Sequence, residues 1–86
     1  MSGGHALAQS LRSEGVRHAF SVPGESYIAL LDGLRDIPEI TLITNRHEGS
    51  ACLMAEAYGK TTRTPGVCVV TRGPGATNAS IGVHLA

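Results

Sequence analysis

The sequence predicts an α/β fold, a doubly wound parallel sheet with helices on both faces. Three observations predict it. Apolar stripes at helical spacing alternate with short β-branched runs in the order α-β-α-β-α-β-α. Each β-like run ends in a polar or glycine-rich break and then a helix, the pattern of parallel strands joined by helical crossovers. The composition suits a packed interior, with 42% hydrophobic and 16% charged residues, against a usual charged share of roughly 25%.

Residues 4–14 (GHALAQSLRSE) carry Leu7, Ala8 and Leu11 on one helical face, and Gly15 stands where helices stop. Residues 17–22 (RHAFSV) form a short β-like run that Pro23-Gly24-Glu25 breaks. Glu25 or Ser26 can open the next helix, whose apolar stripe is Tyr27, Ile28, Leu31 and Leu34. Pro38 ends the connection. Residues 40–44 (ITLIT) are β-branched and read as a buried strand. NRHEG is a polar break before a helix over about 49–60, with Ala51, Met54, Ala55 and Tyr58 among its contacts. The small residues of that helix permit close approach of a neighbouring element. RTPG is a turn. Residues 67–71 (VCVVT) are a continuous apolar run, as a strand buried on both faces requires. GPG breaks it, and ATNASIGVHLA starts another helix. The pattern stops at Ala86 within that helix. Three strands are few for a doubly wound sheet and both edges need cover, so the reading is that of the N-terminal part of a larger domain.

Seven Lys+Arg balance seven Asp+Glu, for a formal net charge of zero. That excludes electrostatic nucleic-acid binders and polybasic membrane-surface binders, which need clustered positive charge. No apolar run approaches the ~18 residues of a membrane span. MSGGHALAQS lacks a basic-then-apolar secretion pattern. Cys52 and Cys68 are too few for a disulfide scaffold and lack zinc-ligand spacing; they read as reduced, buried thiols of a cytoplasmic protein. His5, His18 and His84 share no spacing and read as surface or satisfied histidines.

In an open parallel sheet, ligands bind beyond the carboxyl ends of the strands. Three breaks fall there: SVPGES, TNRHEG and TRGPGATN. Together they should line one rim. TRGPGATN is a weak variant of a dinucleotide fingerprint, since Asn78 stands where the third glycine belongs; a tight strand-to-helix turn without ligand reads better from the segment taken alone. In NRHEGSA, Ala51 stands where a zinc HExxH motif needs its second histidine. Glu48 instead lies between a buried strand and an Ala-rich helix. Partial desolvation there favours the protonated carboxyl and suits it to share a proton with a ligand base. The same position also fits a glutamate held by the helix macrodipole alone, with Arg46 as its charge partner. The residue pattern by itself also fits a non-catalytic α/β interaction module or remnant.

Four segments in order, GGHALAQSLRSEGV, HAFSVPGESYIALLDGL, ITNRHEGSACLMAEAYGK and TPGVCVVTRGPGATN, cover nearly the whole chain. On them it resembles the N-terminal, pyrimidine-binding domain of thiamine-diphosphate enzymes of the acetolactate synthase type. The resemblance implies the fold already read and a catalytic role for Glu48. Its carboxyl would hydrogen-bond a ring nitrogen of the aminopyrimidine and favour the imino tautomer, which takes the proton from the thiazolium carbon. A 2-keto acid would then be decarboxylated, with or without carboligation. Pro23 and Gly24 match the turn near the pyrimidine; Thr71, Pro74 and Asn78 match loop positions lining the same pocket. No metal ligand is implied on these residues. The diphosphate and Mg²⁺ would be held by a separate C-terminal domain, contributed across a homodimer or homotetramer; a flavin is not implied either way. Three departures stand out: Ser21 where the family often has Gly, Gly49 where acetolactate synthases proper often have Gln, and Glu56-Ala57 where Asp-Gly is frequent. They leave the cofactor in place and point to an acetolactate-synthase-like branch.

Overall fold

The computed structural model describes residues 2–24 and 27–86. The elements are α1 (Gly3–Ser13), β1 (His18–Ser21), α2 (Ile28–Arg35), β2 (Thr41–Thr44), α3 (Glu48–Thr62), β3 (Val67–Val69) and α4 (Pro74–Leu85). The alternation read from the sequence is therefore the observed order. The opening of the second helix at Glu25 or Ser26 lies outside the described residues.

α1 begins at Ser2, whose hydroxyl accepts from the His5 amide at 3.1 Å. It ends in a Schellman turn. The Gly15 amide donates to Arg12 O and the Val16 amide to Leu11 O, both at 3.1 Å. Gly15 takes φ +88° there, a conformation that disfavours any side chain. Val16 is then delivered, 1% exposed, into the core.

The sheet has three parallel strands in the order β2-β1-β3. β1 is central, and its period-2 alternation separates two cores. Ala19, with Val67 and Val69 of β3, faces the cluster of Ala8, Val16, Tyr27, Leu30, Leu34, Ile37 and Ile40. Phe20, with Ile43 and Cys68, faces Ala51 and Ala55 of α3. The register places Ala19 beside Val67 and Phe20 beside Cys68, so side chains of like face line up across the strands. α1 and α2 thus cover one face. α3 covers the other, and α4 packs chiefly against α3.

The structure corrects several expectations. β2 and β3 are edge strands and are not buried on both faces: β2 is largely exposed and β3 half-buried. Only β1 has a strand on each side. In α2 the buried stripe is Tyr27, Leu30 and Leu34, while Ile28 is 58% exposed. An IALL run offers two helical phases, and the crossing with α1 selects one. There Gly33 lies under Gly4, and a Cβ at Gly33 would stand 2.8 Å from the Gly4 carbonyl oxygen. Leu7 and Met54 are exposed, leaving Ala8, Ala51 and Ala55 as the inward residues of their helices. His5 is a satisfied histidine, as expected, whereas His18 is not, its Nδ1 being buried without a partner among the described residues. The His5 Nε2 lies 3.0 Å from Asp36 Oδ2, and the His5 Nδ1 2.6 Å from Ser2 Oγ. A neutral ring that donates to Asp36 accepts from Ser2, so His5 ties the start of α1 to the end of α2.

Candidate functional site at the carboxyl rim of the sheet

The strand order makes the site. β1 leads into α2 on one face of the sheet, and β3 leads toward α4 on the other. The helices that follow β1 and β3 lie on opposite faces, so the carboxyl ends of these two strands mark the topological switch point of the sheet, the place where open α/β sheets bind ligands. Gly24, after β1, lies directly against the Thr71 side chain, after β3, with no room for a Cβ. Gly75 likewise lies against the Thr71 hydroxyl, and a Cβ there would stand 3.5 Å from Glu48 Oε2. Thr71 therefore knits the two connections together within reach of the carboxylate.

Glu48 is the first residue of α3 and is half-buried. His47 caps that helix, its Nδ1 accepting from the Gly49 amide at 2.9 Å. The cap fixes where Glu48 emerges, and the positive helix end favours its negative charge. Asn78, from the first turns of α4, donates its Nδ2–H to Glu48 Oε1 at 3.2 Å. The expected Arg46 partner is not found: Arg46 is exposed, and among the described residues Glu48 forms no ion pair. A neutral amide holds one carboxylate oxygen and leaves the other free for a ligand.

Of the residues read from the sequence, Gly24, Glu48, Thr71 and Asn78 come together. Pro23 and Pro74 stand on the same rim but are exposed, and Pro74 opens α4 as its first residue, where its missing N–H is harmless. Three polar residues were given no role by the sequence reading. Ser21 ends β1 and is 1% exposed; Tyr27 caps α2 and is 8% exposed. Among the described residues neither hydroxyl completes a hydrogen bond. The third is Asn45, just after β2. Its amide donates to the Ser21 carbonyl at 2.7 Å, and its side-chain oxygen is buried without a partner. Burial pushes the Tyr27 phenol above its ordinary pKa; the neighbouring Ser21 hydroxyl works against this, and the charges of Glu48 and Cys68 add to it. Ser21 and Asn45 stand in two of the breaks expected to line the rim, whereas the only signal for Tyr27 was a polar tip within an apolar stripe. A groove of about 300 Å³ lined by Ile28, Leu31, Asp32 and Arg35 lies on α2, away from this rim.

The family profile of the thiamine pyrophosphate enzyme N-terminal TPP binding domain matches residues 1–86. The chain belongs to this family. Among its relatives are the acetolactate synthase large subunit of Haemophilus influenzae, 41% identical over 86 residues, and the acetolactate synthase of Bacillus subtilis, 44% identical over 85. The acetolactate synthase isozyme 3 large subunit of Escherichia coli is 37% identical over 86 residues. The match takes in 98–100% of this chain and 15% of each relative's length. As a member of the thiamine pyrophosphate enzyme family, the chain has its rim at the place where this architecture puts ligands. The residues fit an aminopyrimidine. A held carboxylate offers a free oxygen to a ring nitrogen, Gly24 and Gly75 bring backbone close, and three buried polar atoms at the strand ends lack partners. Among the described residues no three His, Cys, Asp or Glu side chains gather as a metal site, and no helix is long and apolar enough to cross a membrane.

Proposed function

We propose that this chain forms the aminopyrimidine-binding half of a thiamine-diphosphate site in an acetolactate-synthase-like enzyme acting on 2-keto acids. The observation that carries the reading is the Glu48 carboxylate. It stands at the carboxyl rim of a parallel sheet, half-buried, with one oxygen held by Asn78 and the other facing Gly75. When bound, the cofactor supplies a thiazolium carbon that adds to the keto acid's carbonyl and takes up the electrons left by carbon dioxide.

The chain's own residues then have distinct tasks. Glu48 accepts a hydrogen bond from, or shares a proton with, a pyrimidine ring nitrogen. Asn78 orients Glu48. Thr71 keeps the Gly24 and Gly75 connections against each other, so that backbone lines the ring's slot. Pro23 and Pro74 stiffen the two connections. The diphosphate and Mg²⁺ are assigned to a separate C-terminal domain, brought to this rim in a homodimer or homotetramer. The relatives named acetolactate synthase support decarboxylation, with or without carboligation to a second carbonyl; a cytoplasmic location is part of the same proposal.

The test is Glu48→Gln in the protein expressed from its whole gene. Gln keeps the size and hydrogen-bonding reach but cannot hold the proton. Deuterium exchange at the thiazolium carbon, followed by NMR, should fall by roughly 100-fold or more, the scale of a lost general acid–base group. Exchange at the wild-type rate would remove Glu48 from this role.

A further inference from the structure

Burying a hydroxyl with no partner destabilises a protein by roughly 1–3 kcal/mol, so such groups in native folds call for an explanation. Four buried polar atoms among the described residues lack one: His18 Nδ1, Ser21 Oγ, Tyr27 Oη and Asn45 Oδ1. His18 opens β1, at the far end of the sheet, and its ring packs on Tyr58. The other three belong to the carboxyl rim. Two of them, Ser21 and Tyr27, are more than nine-tenths buried. They are neighbours, and the Tyr27 ring lies beside Gly24, which itself lies on Thr71. Both hydroxyls are sealed beneath the rim, and Tyr27 lies near enough to Glu48 for that carboxylate's charge to act on its phenol.

We infer that Tyr27, set in place by Ser21, is a positioning residue that supplies a hydrogen-bond donor to the occupied site. Among the described residues its phenol completes no hydrogen bond, though the Ser21 hydroxyl adjoins it, and the acceptor assigned to it belongs to the aminopyrimidine. This rests on the proposed function above. It extends that reading to two residues given no role in the proposed function. The donor acts on binding and orientation, and the proton chemistry stays with Glu48.

The experiment uses Tyr27→Phe and Ser21→Gly in the protein expressed from its whole gene. Each is measured for thermal stability without cofactor and for thiamine diphosphate affinity by calorimetry. Tyr27→Phe keeps the ring's packing and removes only the orphan hydroxyl. The expected result has opposite signs in the two measurements. Without cofactor the melting temperature is unchanged or higher. With cofactor the Kd rises roughly 3- to 10-fold, the worth of one hydrogen bond, and kcat at saturating cofactor changes less than Kd. Ser21→Gly shifts Kd in the same direction by less. A melting temperature that drops without cofactor, together with an unchanged Kd, overturns the inference, because the two hydroxyls then serve only each other. Failure of the underlying reading looks different: wild-type protein would not bind thiamine diphosphate at all, or Glu48→Gln would leave thiazolium exchange intact.

Discussion

Two residues one helical turn apart show how local environment separates chemistry from packing. Glu48 opens α3 and faces the rim; Cys52, four residues on, faces inward beside Cys68 and under Gly82. Burial pushes the Cys68 thiol up to about 11, with the neighbouring Cys52 and the Glu48 charge adding to the shift. A thiol in that setting is a packing group and a poor nucleophile. Modification by iodoacetamide near pH 8 should therefore spare Cys68 in the folded protein and proceed readily once urea unfolds it. Equal rates in both states would show an accessible thiolate. The linked stability has a definite sign. The folded thiol holds its proton more tightly than the unfolded one, whose ordinary value is 9.0. Its contribution is fully present below pH 9 and is lost as the pH rises through about 11. Denaturant midpoints measured across that window should fall with pH, and Cys68→Ala should remove this component of the slope.

At the scale of elements, helix pairs are set by glycines and strand burial by neighbours. α1 crosses α2 where Gly4 meets the Ala29 carbonyl, and a Cβ at Gly4 has no space. The preceding Gly3 has nothing within 4 Å of a Cβ. Adjacent substitutions should thus diverge. Gly3→Ala should leave stability unchanged or slightly raised. Gly4→Ala should lower it by about 1–3 kcal/mol, the usual range for overpacking, despite alanine's better helix propensity. Urea denaturation of the two variants checks this, and equal midpoints would mean that the crossing yields without strain. The same contrast explains what the sequence could disclose. The short run RHAFSV between two breaks was enough to locate β1, because such punctuation is local information; its two faces, Ala19 on one side and Phe20 on the other, emerged only from the packing. Whether ITLIT and VCVVT are buried depends on what lies beside them, and apolar composition does not reveal that. The choice of Leu30 over Ile28 also came from a partner, here the Gly4–Gly33 crossing. In the site, Glu48 was legible as a carboxylate at a strand–helix junction. Tyr27 was not, since a hydroxyl in an apolar stripe reads as core until its missing partner is seen.

The whole molecule carries more surface than its mass calls for. Its accessible area is 5243 Å², whereas a compact monomer of 8.9 kDa exposes about 4800 Å². The excess has an address. Ile81, Val83 and Leu85 are 52%, 68% and 52% exposed, and all three belong to α4, which rests chiefly on α3 and not on the sheet. Leu42 on the β2 edge is 37% exposed, beside backbone groups that no strand pairs among the described residues. Apolar surface of this kind weakens a small fold twice, by forgoing burial and by favouring self-association. These 86 residues expressed on their own should therefore bind a hydrophobic dye such as ANS and unfold over a broad denaturant range. Thiamine diphosphate should not sharpen that transition, because the reading assigns the diphosphate to another domain. In the protein expressed from its whole gene, the α4 amides should be protected from hydrogen exchange. A sharp transition without dye binding in the isolated span would show that the two small cores on either side of β1 suffice. The α4 face would then be an ordinary tolerated exposure.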